Sequence, residues 1–300
     1  MDALTILLVL LGIFTAVFAY VFFKDLLKHK DEQAKGTNGA DSPLWISGLI
    51  GLVTNFFDTL GIGSFAPTTA LFKATKVVDD QVIPGTLNVA HTLPVVFMAF
   101  MYIRSVEVEF LTLALLIGAS ALGSFFGAGI VSKFNRQTIQ LVMGIALFIT
   151  ALVMASRTLG WIDALGTGDA YGLSGGLLIL GTVIHFVLGA LMTAGVGLYA
   201  PSMAVIYMLG LTPLVAFPIM MGACAFLMPV AGVKFVREGK YARKQSLAIA
   251  IPGILGVWLA INLVLNLPMP VITWLVIGVI IITSITMILS YMKSKSETAS

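Results

Sequence analysis

Charge is scarce in this chain. Asp, Glu, Lys and Arg make up 10% of its 300 residues, where a soluble domain carries about 25%. Hydrophobic residues reach 59% and the mean hydropathy is +1.03, so the composition is that of an integral membrane protein with no sizeable soluble domain. Cysteine is nearly missing. Cys224 stands alone in an apolar stretch, which excludes an intramolecular disulfide and reads as a small packed hydrophobe. A basic flank is absent before the first apolar run, and no small-x-small site follows it, so residues 3–23 read as a retained helix and not a signal peptide. No Gly-Lys-Ser/Thr follows either Gly-x-Gly, which argues against a nucleotide-binding loop. There is no His-Glu-x-x-His, and Ser64 does not stand in a Gly-x-Ser-Gly, which argues against an intramembrane protease at the first motif. The net charge of +3 sits in loops, where it reports membrane orientation and not a nucleic-acid partner.

What the chain does have, it has twice. Gly61-Ile62-Gly63-Ser64-Phe65-Ala66-Pro67 returns 134 positions later as Gly195-Val196-Gly197-Leu198-Tyr199-Ala200-Pro201. At the same offset Pro84 maps onto Pro218 and Gly144 onto Gly278; a one-residue slip matches Gly123 to Gly256. Glycine and proline loosen a helix, and in lipid the freed backbone groups must find other partners. Interrupted apolar segments at matching places in two halves are the sequence mark of a transport site.

Full spans of roughly 20 apolar residues are expected at 3–23, 85–103, 109–132, 138–156, 213–234, 246–265 and 271–291. The broken stretches, about 45–72 and 172–208, are each either one crossing or a re-entrant hairpin. Lys and Arg collect on the cytoplasmic side. Lys24/Lys28/Lys30/Lys35, Lys133/Arg136, the group from Lys234 to Lys244, and Lys293/Lys295 all fall on one side only if both broken stretches are hairpins. The expected fold is therefore an all-α polytopic membrane protein with two inverted repeats, each a re-entrant or broken-helix hairpin plus three spans. Its parts are an extra N-terminal transmembrane helix at 1–24, a cytoplasmic linker at 25–44, repeat 1 at 45–156 and repeat 2 at 172–291, with the C-terminus cytoplasmic.

Ionisable side chains inside the apolar stretches are few: Asp58, His91 and His185. Each is a functional hypothesis by default. Asp58, in Asn55-Phe56-Phe57-Asp58-Thr59-Leu60-Gly61, serves either as an acceptor at the start of the following half-helix or as a proton-coupling group. On a helix Asn88 and His91 share a face, with Thr92 beside them; that stripe is either glue between helices or ligand-facing. His91 is also a proton-coupling candidate. His185, among Val183, Ile184, Phe186 and Val187, reads as a hydrogen-bonded packing residue. Lys73 and Lys76 read as snorkelling side chains. Gly61, Gly63, Gly195 and Gly197 let peptide N–H groups approach a ligand closely, and a half-helix starting there presents its positive end to an oxyanion. Ser64, Thr68 and Thr69 in the first copy, with Tyr199 and Ser202 in the second, add hydroxyls. Asn55, Thr59 and Asn88 complete the candidate substrate-binding set.

Asp58-Thr-Leu-Gly-Ile-Gly-Ser-Phe-Ala-Pro67, together with Gly195-Val-Gly-Leu-Tyr-Ala-Pro201 and the run from it to Pro213, resembles the paired motifs of the sulfite exporter TauE/SafE family, over about residues 45–291. Ser64 and Phe65, and Leu198 and Tyr199, stand where the commoner family form has glycines. The resemblance implies a multi-pass permease of a bacterial or archaeal cytoplasmic membrane that exports small sulfur-containing anions such as sulfite or sulfonates. It implies no cofactor, no metal and no enzymatic step. The partners expected are the anionic substrate and the bilayer, with room for a homo-oligomer. Both hairpin tips would bind the anion near the midplane while the repeats alternate access. A passive anion channel and a carrier of non-sulfur organic anions are the alternatives. The polar chemistry is concentrated in the first copy, since Gly222 and Ala225 stand where Asn88 and His91 would recur.

Overall fold

The computed structural model describes residues 3–29, 43–131, 136–160, 168–192 and 198–299. Its helices are α1 (Ala3–Lys28), α2 (Leu44–Thr59), α3 (Phe65–Thr75), α4 (Ile83–Ser105), α5 (Phe110–Val131), α6 (Arg136–Thr158), α7 (Gly175–Met192), α8 (Tyr199–Met208), α9 (Ala216–Arg237), α10 (Arg243–Leu265) and α11 (Met269–Ala299). Short 3-10 turns at Asp80–Val82 and Pro213–Val215 lead into α4 and α9. Among the described residues the only β-type pairing is an isolated bridge between Ala170 and Leu211.

Polarity is arranged the opposite way from a soluble protein. Asn55, Asp58, Thr59, Thr68, His91, His185, Ser202 and Gln245 are buried, while Phe125 is 78% exposed and Ile179 67% exposed. Buried polar groups bonding to one another inside an apolar jacket is what a lipid solvent requires. Among the described residues seven helical stretches are long and apolar enough to cross a membrane: 3–28, 80–105, 140–158, 175–192, 213–237, 243–265 and 269–293. Six of these match spans expected from the sequence, and the remaining expected span, 109–132, is the 22-residue α5. α7 qualifies in addition, where a hairpin arm was expected, and Leu44–Thr59 is a shorter apolar helix. The N-terminal helix also runs to Lys28, past the boundary expected at residue 24. Most of the expected linker, 30–42, lies outside the described residues.

The chain forms two compact units, 1–102 with 224–265 and 103–223 with 266–300. Their boundaries fall within α4, after Tyr102, and within α9, after Ala223. In the first unit α2 packs along α10, and in the second α5 packs along α7 and α6 along α11. Glycine sets the close crossings. A Cβ on Gly51 would meet the backbone of Ile249, and one on Gly256 the backbone of Leu52. Likewise Gly123 lies against the backbone of Phe186 and Gly189 against that of Ser120. Since lipid tails are as apolar as leucine, such backbone-to-backbone packing is what binds helices in a membrane. Gly123 and Gly256, matched in the sequence, thus make equivalent crossings in the two units.

Other elements recur at the same spacing. α3 begins at Phe65 and α8 at Tyr199, each after a residue in αR conformation whose side chain makes no capping bond. Pro84 and Pro218 both fall in the first turn of their helices, where the missing N–H costs nothing.

Candidate functional site

In the first unit, α2 stops at Thr59 and α3 starts at Phe65. Between them Gly61 has φ +93° and Gly63 φ +88°, left-handed values that L side chains adopt only with strain. The two glycines therefore make the break. A Cβ at Gly63 would meet nothing within 4 Å, so backbone strain and not crowding holds glycine there.

Around this break three polar side chains form one chain of bonds. Asn55 Nδ2 donates to the Gly51 carbonyl at 2.7 Å, which turns Asn55 Oδ1 towards His91 Nδ1, 2.9 Å away. An amide oxygen only accepts, so His91 Nδ1 carries the hydrogen. His91 Nε2 is then the acceptor for the hydroxyl of Thr68, at 3.1 Å. This tautomer is assigned from the partners. Asn55, His91 and Thr68 are fully buried, and the three helices α2, α4 and α3 are tied through them. Thr59 Oγ1 donates to the Asn55 carbonyl at 2.7 Å, and the Thr59 carbonyl accepts from Tyr102 at 3.0 Å.

Asp58 lies beside this network, 1% exposed. Its carboxylate faces the hydroxyl and backbone N–H of Ser64, the residue before α3, while Oδ2 has no partner among the described residues. The positive end of α3 is thus already faced by a carboxylate of the chain itself.

The remaining expected residues are placed as follows. Asn88 is half-buried, and its Nδ2 donates back to the Pro84 carbonyl at 3.3 Å, apart from the His91 chain. Thr69 bonds its own helix, at the Phe65 carbonyl. Gly195 and Gly197 lie outside the described residues. Tyr199 opens α8. Ser202, fully buried, is bonded at 3.0 Å to His185 Nε2, and His185 Nδ1 lies 2.9 Å from the Gly181 carbonyl. A carbonyl only accepts, so Nδ1 again carries the hydrogen and Ser202 donates to Nε2. Ser202 stands 134 positions after Thr68, so equivalent hydroxyls meet an imidazole in both halves, each on its Nε2 side. The imidazoles come from different helices: His91 from α4, His185 from α7. The second copy is richer than its sequence indicated, because α7 supplies the group that Ala225 lacks.

Two residues escaped the sequence reading. Gly253 of α10 leaves room for Asn55: a Cβ there would sit 2.6 Å from Asn55 Nδ2 and 2.9 Å from Pro94 Cγ. Tyr102 anchors the end of α2. Neither belongs to a motif. No group of three or more His, Cys, Asp or Glu among the described residues is arranged to hold a metal.

The model of the family described as sulfite exporter TauE/SafE matches residues 1–154, just over half of the chain. The chain belongs to the TauE/SafE family. The match begins at α1, which the motif resemblance left aside, and ends before the second copy, where that resemblance continued. No curated protein and no solved structure matches the chain. Seven apolar helices among the described residues and membership of a transporter family make it a multi-pass membrane protein of anion export.

Proposed function

We propose that this TauE/SafE protein is a secondary transporter that exports small sulfur-containing anions, sulfite or sulfonates, across a bacterial or archaeal cytoplasmic membrane by alternating access. The observation that carries this reading is the sealed polar chain at the α2–α3 break, where a buried carboxylate and a helix start meet inside an apolar protein. Backbone N–H groups near Gly61, Gly63 and Ser64, with the hydroxyl of Ser64, are the first-half ligands, and Tyr199, with the backbone at Gly195 and Gly197, those of the second. Thr68 and Ser202 join them as donors only by giving up their bonds to His91 and His185. Asn55 and His91 position Thr68.

Asp58 gives the site its coupling. Its carboxylate holds the Ser64 donors as an internal anion, and two anions cannot share them at low cost. A substrate anion takes those donors when Asp58 accepts a proton, so anion binding and proton uptake are linked. Inverted repeats with re-entrant hairpins are part of the proposal. In support, α2 and α3 have 16 and 11 residues, about 24 and 16 Å at 1.5 Å per residue, each short of the roughly 30 Å hydrocarbon core. The matched crossings of Gly123 and Gly256 also support duplication.

Flux in proteoliposomes tests the reading. Saturable, substrate-stimulated exchange of sulfite or a sulfonate is expected, with Asp58→Asn flattening its pH dependence. Flux no greater than in empty liposomes across sulfite, sulfonates and carboxylates refutes it, and ohmic current in bilayers makes the protein a channel.

A further inference from the structure

At one end of the first unit, helix ends gather more cations than the carboxylates among the described residues pair. Asp25 of α1 receives Arg243 Nε at 2.7 Å and the Tyr241 hydroxyl at 2.7 Å, with His29 Nδ1 3.0 Å away. Glu238 is bonded to Lys240 at 3.1 Å. Lys24, Lys28 and Arg237 are exposed and have no carboxylate within ion-pair distance among the described residues. The three surround a pocket of about 510 Å³ between α1 and the α9–α10 turn. Lys24 reaches only the Tyr20 hydroxyl, at 3.5 Å.

A second cavity continues along the same two helices. It measures about 270 Å³ and is lined by Ile13, Phe14, Val17, Pro229, Val230 and Val233, apolar side chains alone. On α1 the lining positions run 13, 17, 20, 24 and 28, one face of a helix; on α9 they run 229, 233, 236 and 237. Lys24 follows Val17 by seven residues, about 10 Å of helical rise. An apolar groove thus lies on the same two helices, one to two turns from the cationic pocket at the helix ends. That succession matches a phospholipid lying along a helix, phosphate at the interface and chain in the hydrocarbon.

We propose that the pocket and groove together hold one anionic phospholipid, its phosphate against Lys24, Lys28 and Arg237 and an acyl chain between α1 and α9. A zwitterionic lipid would bring its ammonium towards three cations and bind less well. The site involves none of the residues assigned to the transported anion, so either assignment can fail without the other.

Full-length protein in uncharged maltoside detergent tests this by thermal unfolding and by native mass spectrometry of retained lipid. Phosphatidylglycerol is expected to raise the Tm at concentrations at least about tenfold below phosphatidylcholine of the same chains, each interfacial cation being worth roughly a factor of five. Inorganic phosphate alone should produce no shift. The K24Q/K28Q/R237Q variant should weaken retention of phosphatidylglycerol by about a hundredfold. Val230→Trp, which fills the groove and leaves the cations, should weaken it as well. Equal responses to the two lipids overturn the proposal, and so does a full shift with inorganic phosphate. Undiminished retention by the triple variant overturns it too. The lipid comparison uses the wild-type protein, so poor folding of a variant leaves the test intact.

Discussion

Gly253→Ala places a methyl group where the structure has no space for one. Its Cβ would lie 2.6 Å from Asn55 Nδ2, 3.1 Å from Asn55 Cγ and 2.9 Å from Pro94 Cγ. Pro94 is a ring inside α4 and cannot turn away. The Asn55 amide is held between the Gly51 carbonyl and His91, so it moves only by giving up one bond or both. Overpacking a tight interior costs about 1–3 kcal/mol. Leaving the buried Nδ1–H of His91 without its acceptor adds about 1–3 kcal/mol, giving a loss of about 2–6 kcal/mol in stability. His91 is then free to turn from Thr68, so exchange flux should fall as well. The assay is a double-mutant cycle of Tm and flux with Asn55→Ala. In the Asn55→Ala background the amide is gone, and adding Gly253→Ala should cost less by about 1–3 kcal/mol, within the range of contacting pairs. Equal effects of Gly253→Ala in both backgrounds would refute the steric link to the polar chain.

The other predictions are shorter. Thr68→Val keeps the shape of the side chain but leaves His91 Nε2 without a donor, and should cost about 1–3 kcal/mol of stability; Ser202→Ala, which does the same to His185, should cost a similar amount. Comparing the two Tm shifts checks whether the bonds are equivalent. Lys76 caps α3 at φ +55°, so Lys76→Gly should stabilise the protein by roughly 0.5–1 kcal/mol; a fall in Tm contradicts this. Burial pushes the Tyr241 phenol above its usual value, and the Asp25 carboxylate that accepts its hydrogen pushes the same way. A group raised on folding stabilises fully below its unfolded pKa of about 10, and that stability is lost as pH rises through the folded value. Tyr241→Phe should therefore flatten the loss of Tm in strongly alkaline solution while lowering Tm at neutral pH.

The break at Gly61 and Gly63 was legible in the sequence because its cause is local: backbone that must leave the helical basin needs glycine wherever the rest of the chain goes. Asp58, one turn before the break, was legible for the same reason. The Asn55–His91 bond was only half legible. The spacing of Asn88 and His91 put both on one face of α4, but the amide that reaches the imidazole comes from α2. Gly253 was not legible, since one glycine among 30 carries no mark of what lies against it.

The sequence by itself determined the solvent, the helical class, the doubled motif and the places where helices break. Those follow from composition and from backbone preferences acting over a few residues. Tertiary structure alone decided that α2 lies on α10 and α5 on α7, across the two sequence halves. It decided also that His185, read as packing, stands to Ser202 as His91 stands to Thr68. A buried hydroxyl must bond to whatever group is brought beside it, and which helix arrives depends on contacts between residues far apart in the chain. Equivalent needs in the two halves are met by residues from different places, which no repeat in the sequence records.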